Sequence, residues 1–168
     1  MLIRIAGIEP ESIVDGPGYR FAVFVQGCPH ACPDCHNPET HDFEGGKLVD
    51  TAEIIAHLGK NPLVRGLTLS GGEPMLKAAE LAEIAQAAKA LGMNVWCYTG
   101  YTLEQLDETN DEAQQRLLGL IDVLVDGPFV AMKRSLSLSF CGSANQRLID
   151  MKKTREAGRI VLYEPDVW

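Results

Sequence analysis

No hydrophobic run in this sequence approaches the roughly 20 apolar residues that a helix needs to cross a bilayer. Residues 1–4 also lack the apolar region and small-residue cleavage site of a secretory signal. We therefore expect a cytoplasmic protein without membrane attachment. Neither an internal repeat nor a linker rich in proline, glycine and serine divides the chain. A single domain over residues 1–168 is predicted.

Basic residues are also scarce in this chain. It has 15 Lys and Arg against 23 Asp and Glu, which gives a net charge of −8. Nucleic-acid binding depends on clustered Lys and Arg that contact the phosphate backbone. The composition therefore disfavours nucleic acid as a partner, and the acidic surface is interpreted as one that keeps the protein soluble.

The five cysteines are odd in number and have no export signal, which argues against a disulfide framework. Cys28, Cys32 and Cys35 lie within eight residues of each other. In a reducing compartment such crowding indicates metal or redox chemistry. Cys97 stands inside an apolar segment and is interpreted as an ordinary buried cysteine.

Short apolar segments alternate with helical patterns along the chain. Strands are predicted at residues 2–6, 20–26, 66–70, 94–98, 122–125, 147–149 and 160–163, and helices at 50–58, 76–91, 103–106 and 112–118. This alternation implies βαβ units and a mostly parallel sheet. A closed eight-stranded barrel usually needs about 250 residues. We therefore predict an α/β fold with an open, partial (β/α) barrel, and a flat doubly wound sheet is the alternative.

The most polar and glycine-rich points of the chain follow four of these strands: Cys28, residues 70–74, residues 99–101 and residues 126–128. In parallel α/β sheets, ligands bind beyond the carboxyl ends of the strands. The four segments are therefore predicted to meet on one edge of the sheet, here called the rim, and to form the functional site there.

The three clustered cysteines have the spacing C-x3-C-x2-C in a loop with two prolines. Thiolates are soft ligands, and three so close together can hold one metal centre. An iron–sulfur cubane held by three cysteines leaves one iron without a protein ligand, open to a substrate or cofactor. A structural zinc site normally has four ligands. That alternative would take its fourth ligand from His30, His36, Cys97 or Cys141.

This cysteine spacing, followed directly by His36, resembles the radical S-adenosylmethionine superfamily. The resemblance implies a [4Fe-4S] cluster on Cys28, Cys32 and Cys35. It also implies that the open iron binds the amino and carboxylate groups of S-adenosyl-L-methionine, and that His36 lies against the adenine.

The segment SGGEP at residues 70–74 resembles the Gly-Gly-Glu motif of the same superfamily. The resemblance implies that Gly71 and Gly72 contact the methionine part of the cofactor and that Glu73 helps to hold its amino group. It places Tyr98, Thr99 and Asp126 at strand ends that face the ribose and methionine parts. The alternative for residues 70–74 is a tight turn that places the Glu73 carboxylate at a helix N-terminus. The alternatives for Tyr98, Thr99 and Asp126 are a core tyrosine, a threonine that caps a turn and an aspartate in a turn.

Two further segments resemble a narrower group, the activating enzymes of glycyl-radical enzymes. DGPGYR at residues 15–20 has that group's DGPG-x-R pattern, which implies that Asp15, Gly16 and Arg20 lie near the partner. The run from VDGPF at residues 125–129 to GSANQRLID at 142–150 is similar to activating proteins of anaerobic ribonucleoside-triphosphate reductase. It adds Asn145 and Arg147 as partner-facing residues. Cys141 departs from the arginine usual in that family.

The resemblance implies an enzyme activity with a protein substrate. The reduced cluster would cleave S-adenosylmethionine, and the product radical would remove a hydrogen atom from a glycine of the reductase. An electron donor such as flavodoxin would be a second partner. Three alternatives remain: activation of another glycyl-radical enzyme such as formate lyase, a radical enzyme acting on a free metabolite, and a non-catalytic iron–sulfur or zinc module.

Overall fold

The computed structural model describes residues 1–30, 40–128 and 145–164. Within these ranges there are seven strands, namely β1 (Leu2–Ser12), β2 (Arg20–Val25), β3 (Lys47–Asp50), β4 (Gly66–Gly71), β5 (Asn94–Tyr98), β6 (Val123–Asp126) and β7 (Arg147–Asp150). The α-helices are α1 (Thr51–His57), α2 (Ala78–Ala90), α3 (Leu103–Glu108), α4 (Glu112–Leu118) and α5 (Met151–Ala157), and a 3-10 helix spans Pro74–Lys77.

All seven strands belong to one sheet in the order β3-β1-β2-β4-β5-β6-β7. The four central strands β2, β4, β5 and β6 are parallel, whereas β1 and β7 pair antiparallel with β2 and β6. β3 and β7 stand at the two ends of the strand order, so the sheet is not closed among the described residues. The predicted open α/β fold with a mostly parallel sheet is confirmed, but the partial barrel is not confirmed.

The predicted order of elements lacks β3 and α5, and the outer strands β1 and β7 pair antiparallel, unlike the centre of the sheet. β1 and β2 form an antiparallel pair, and β3 follows them before the first helix. β3 is four residues long and its first two side chains are exposed, so it has no clear apolar alternation. α5 was missed because only Met151 of its seven residues is buried. The strand predicted at 160–163 is reduced to one bridge between Ile149 and Leu162.

The helices cover one face of the sheet and enclose the apolar core. The small side chains of α2 let it approach the sheet closely, and Ala82, Ala85 and Ala88 are completely buried. The alanine stripe of this helix therefore serves packing, as its spacing predicts. α2 is the longest described helix at 13 residues. In the ranges that the structure covers, no helix has the length and apolar character to span a membrane.

The opposite face of the sheet carries a second, smaller apolar cluster around Trp96, Val123 and Val125. The ring of Tyr163 packs edge-on against Trp96 at a centroid distance of 5.2 Å. Arg20 lies over the same indole, 5.5 Å from its centroid. The C-terminal part of the described chain therefore packs on this face.

Candidate functional site

The rim predicted from the sequence is present in the structure. Because β2, β4, β5 and β6 are parallel neighbours, the segments that follow them leave the same edge of the sheet. Main-chain hydrogen bonds join these segments. The N–H of Glu73 donates to Gly27 O at 2.8 Å, Thr99 N–H donates to Val125 O at 2.9 Å, and Gly127 N–H donates to Tyr101 O at 2.9 Å. These bonds join the four segments in two pairs, and the Glu73 side chain connects the pairs through Thr99 and Gly100.

Glu73 is the centre of this rim and its side chain is fully buried. Its Oε2 accepts from Met75 N–H at 2.9 Å, which caps the 3-10 helix, and from the Thr99 hydroxyl at 2.8 Å. Its Oε1 accepts from Gly100 N–H at 2.8 Å and lies 2.6 Å from His30 Nε2. A buried carboxylate is stable only when such donors satisfy it. Glu73 therefore holds together the segments that follow β2, β4 and β5.

The two glycines before Glu73 allow the backbone of this segment to approach its neighbours closely. Gly71 has a φ of +105°, and a Cβ at this position would lie 2.4 Å from Val25 N. A Cβ at Gly72 would lie 2.3 Å from Gly27 O. Side chains at either position would separate the segment from the end of β2. The glycines thus fit a role in bringing Glu73 to the rim.

We expect the Gly71→Ala variant to lower the free energy of unfolding by about 2–3 kcal/mol, because it combines an unfavourable φ with a backbone clash. Urea denaturation measures this change. Gly7→Ala in β1 is the matched control, since its φ is ordinary and a Cβ there would meet no described atom within 4 Å. That control should change stability by less than about 1 kcal/mol. Equal effects of the two substitutions would contradict the close-approach argument.

Asp126, at the end of β6, is the second buried carboxylate of the rim. It is 1% exposed and accepts from the backbone N–H of Leu103 at 2.8 Å, at the start of α3. The guanidinium of Arg147 donates from Nε to Asp126 Oδ1 at 3.0 Å and from Nη2 to Glu104 Oε1 at 2.6 Å. Asp126 therefore fixes α3 and β7 to the rim through the same carboxylate.

The pair formed by Glu104 and Arg147 predicts a pH-dependent contribution to stability. The hydrogen bonds from Arg147 lower the pKa of Glu104. Stabilisation from this source is complete above the ordinary pKa of a glutamate and is lost as the pH falls through the depressed value. Glu104 is largely exposed, so we expect Glu104→Gln to lower the free energy of unfolding by only about 0.5 kcal/mol at pH 7. Urea denaturation at successively lower pH should show this difference shrink once the pH falls below the ordinary value for glutamate, and a difference that stays constant with pH would contradict this account.

The predicted cluster ligand Cys28 is half-buried and lies on the rim just beyond β2. Its backbone N–H donates to His41 O at 3.3 Å. Burial, together with the negative charge of Glu73 and Cys28, raises the pKa of the neighbouring Tyr101. Cys32, Cys35, His36 and Cys141 lie outside the described residues. Within 1–30, 40–128 and 145–164, no group of three or more His, Cys, Asp and Glu residues is arranged to hold a metal.

Two features of the described residues fit an iron–sulfur cluster at this place. The thiol of Cys28 is the type of ligand that holds iron–sulfur clusters, and it lies on the rim. The imidazole Nε2 of His41, the residue that accepts from the backbone of Cys28, is buried and has no hydrogen-bond partner among the described residues. A buried polar nitrogen of this kind needs a partner, and the sulfurs of a cluster accept hydrogen bonds.

The remaining predicted cofactor contacts are also on or near the rim. Tyr98 is half-buried at the end of β5. The hydroxyl of Thr99 donates to Glu73 and accepts from Tyr101 N–H at 3.2 Å. These contacts show Thr99 as a residue that orients the rim internally. Cys97, one position before Tyr98, is fully buried on the helix side of the sheet.

The residues predicted to face a partner lie in two different places. Asn145 and Arg147 are next to the rim, where the Asn145 side chain donates to Pro128 O at 2.8 Å. Asp15 and Gly16 precede β2 and Arg20 is its first residue, so all three lie at the opposite edge of the sheet from Cys28. These five assignments remain predictions.

Arg20 is fully buried against the sheet, although it carries a charge. Its Nε donates to the Thr68 hydroxyl at 2.7 Å, and its Nη1 and Nη2 donate to the carbonyl oxygens of Pro17 and Leu67. Burial lowers its pKa to about 10. A direct contact between Arg20 and a partner would therefore require the segment at residues 15–18 to open.

Sequence reasoning assigned no site role to His30 beyond a possible zinc ligand and none to Gly100. In the structure both contact Glu73, and a Cβ on Gly100 would lie 2.4 Å from His30 Cδ2. The absence of a side chain at Gly100 is thus what makes room for the histidine. No local pattern could reveal this, since His30 and Glu73 are 43 residues apart.

Comparison with known proteins gives the class of the chain. A family model described as "4Fe-4S single cluster domain" matches residues 14–149. This match covers β2 to β6, the first three residues of β7 and all of the rim, so the chain contains an iron–sulfur domain of that class.

Three curated relatives share the name anaerobic ribonucleoside-triphosphate reductase-activating protein. The Vibrio cholerae protein is 40% identical over 82% of this chain and 91% of its own length. The Haemophilus influenzae protein is 39% identical over 82% and 91%, and that of Escherichia coli K12 is 38% identical over 82% and 92%. The chain belongs to this family of activating proteins.

Among solved structures, the crystal structure of QueE from Escherichia coli aligns with a TM-score of 0.46 and 17% identity, over 61% of this chain and 54% of that one. This likeness is too weak to bear on the fold or the function.

Proposed function

We propose that this protein is a radical S-adenosylmethionine activase of anaerobic ribonucleoside-triphosphate reductase, acting in the cytoplasm. The observation that carries the proposal is the junction of Cys28 with the Gly-Gly-Glu segment, where Glu73 N–H donates to Gly27 O at 2.8 Å. A cluster ligand and a cofactor-binding loop would thereby share one rim. Membership in a family of proteins named for activating this reductase supports the choice of partner.

In this proposal Cys28, Cys32 and Cys35 hold the cluster and leave one iron open. When bound, the cluster and S-adenosylmethionine supply one-electron cleavage of the sulfonium and abstraction of a hydrogen atom from a glycine of the reductase. A reduced donor such as flavodoxin would provide the electron. The protein itself supplies binding and orientation.

The residues of the rim have separate roles in this scheme. Gly71 and Gly72 keep the backbone open to the methionine part of the cofactor, and the buried carboxylate of Glu73 favours its cationic amino group. Tyr98 and Asp126 lie at neighbouring strand ends, where we propose contacts with the ribose. His36 would lie against the adenine. Thr99 would act by holding Glu73 in place.

Electron paramagnetic resonance tests the proposal in two stages. The protein is purified and reconstituted with iron and sulfide without oxygen, then reduced. Adding S-adenosylmethionine should shift the cluster signal. Adding the authentic reductase, whose glycine supplies the hydrogen atom, should then release methionine and 5′-deoxyadenosine and produce the doublet of a glycyl radical, which the activase alone should not give.

The partner is tested by the same signal. Activation should be much stronger with anaerobic ribonucleotide reductase than with formate lyase under identical conditions. A doublet with formate lyase alone would move the substrate assignment to that enzyme. A colourless protein that holds zinc in place of iron would refute the whole proposal.

A further inference from the structure

His30 lies within the cysteine spacing, two residues after Cys28, but its side chain contacts other residues of the rim. Its Nε2 lies 2.6 Å from Glu73 Oε1, and its side chain is 16% exposed. The ring also packs edge-on against Tyr101, with centroids 4.6 Å apart and an interplanar angle of 72°. It fills the space above Gly100 that any Cβ would occupy. Three contacts thus fix the orientation of this imidazole.

The four donors to Glu73 come from different segments of the chain. Met75 and Gly100 donate through backbone N–H groups, and Thr99 donates through a buried hydroxyl. These three are part of the segments that follow β4 and β5. His30 alone of the four belongs to the segment that carries the cysteines. Its hydrogen bond therefore connects the described part of the cysteine segment, residues 28–30, to the carboxylate.

We propose that His30 is a positioning residue, which holds the cysteine segment against Glu73 and thereby sets the orientation of the cluster relative to S-adenosylmethionine. This inference rests on the proposed function. The backbone of Cys28 is bonded to His41 O, so this segment is fixed at its start by the main chain. The bond from His30 fixes it at a second point, next to the carboxylate assigned to the cofactor amino group. With bonds at both Cys28 and His30, residues 28–30 cannot turn about a single contact, so the direction of this stretch relative to Glu73 is set.

Orientation of this kind affects the reaction through geometry. Reacting groups displaced by about 1 Å can lose about 100-fold in rate. Residues that orient metal ligands through hydrogen bonds typically contribute 10- to 100-fold in affinity or activity. A positioning role therefore predicts a weakened response of the cluster to the cofactor, while the iron content stays normal.

Two substitutions at His30 separate the hydrogen bond from the packing. His30→Phe retains a ring against Tyr101 but cannot donate to Glu73. His30→Gln retains an N–H donor at a similar reach. We expect His30→Phe to raise the dissociation constant for S-adenosylmethionine by about tenfold and to reduce the cofactor-induced shift of the cluster signal. His30→Gln should restore most of both.

A third variant displaces the His30 ring by a substitution at another position. Gly100→Ala places a methyl group 2.4 Å from the original position of His30 Cδ2, so the ring must leave its position beside Glu73 and Gly100. The φ of Gly100 is not in the left-handed region, so alanine is compatible with the backbone. This variant should resemble His30→Phe. His57→Phe, on the exposed side of α1, is the matched control and should resemble the wild type.

The readouts are bound iron, cofactor affinity and the electron paramagnetic resonance shift, all measured before any reductase is added. A wild-type cluster that does not respond to S-adenosylmethionine would overturn the proposed function itself. A wild-type response that His30→Phe and Gly100→Ala leave unchanged would overturn the role of His30 alone. Loss of iron from both variants would also overturn it, since the histidine would then retain the cluster rather than orient it.

Discussion

The Cys28→Ala variant is expected to be colourless and inactive but folded. In the proposed site, removal of one of three thiolates would leave two protein ligands, and we expect the affinity for the cluster to fall by more than about 100-fold, beyond what outer-shell substitutions cause. Cys28 is half-buried at the rim and is not a member of the apolar core. The change in the free energy of unfolding of the cluster-free protein should therefore stay below about 1 kcal/mol. Iron analysis, visible absorption and urea denaturation measure these quantities.

Cys97→Ala is the matched control for this experiment. Cys97 is completely buried in the core, and burial raises the pKa of its thiol, so it is a poor source of thiolate. The variant should bind as much iron as the wild type and lose about 1 kcal/mol of stability from imperfect packing. Loss of metal in Cys97→Ala, or its retention in Cys28→Ala, would contradict the assignment of ligands.

The second large effect is expected for Glu73→Ala, with a loss of about 3–5 kcal/mol in the free energy of unfolding. The substitution leaves four donors without their acceptor, among them the backbone N–H groups of Met75 and Gly100. Each buried donor without a partner costs about 1–3 kcal/mol, although water that enters the new space will offset part of this. Such a loss is a large fraction of the stability of a typical domain. Urea denaturation of the cluster-free protein isolates it from any effect of the cofactor.

Two controls define the origin of this loss. Glu73→Gln keeps the volume but replaces one acceptor oxygen with a donor, so it should be destabilised to an intermediate degree. Glu108→Ala removes an exposed carboxylate at the end of α3 and should change stability by less than about 0.5 kcal/mol. If Glu73→Ala unfolds at the same urea concentration as the wild type, the carboxylate does not hold the rim together.

The location of the rim could be predicted because it follows from local patterns. The β5 strand and the α4 helix have the bounds that the sequence predicts, since each has clear apolar spacing between polar ends. Parallel strands then place Cys28, Glu73 and Asp126 on one edge without further information. The curated relatives bear out the family that these motifs predicted.

The internal connections of the rim could not be predicted in the same way. The bonds from His30 to Glu73 and from Arg147 to Asp126 join residues that are 43 and 21 positions apart. Such pairs depend on the final register of the sheet, which no local pattern encodes. The buried contacts of Arg20 with Thr68 and Trp96 are long-range in the same way and could not be predicted from its motif, and its partner-facing role remains a prediction.

The fourfold hydrogen bonding of Glu73 has a consequence for the thermodynamics of cofactor binding. Its donors come from segments after β2, β4 and β5, so the rim is ordered when the sheet forms. Ligand binding to a preorganised site loses little conformational entropy, because the protein has already lost it on folding. We therefore expect calorimetry to show only a small entropic penalty from ordering Glu73 and its donors when S-adenosylmethionine binds. The stability of the sheet and the affinity of the site would then be two measures of the same set of hydrogen bonds.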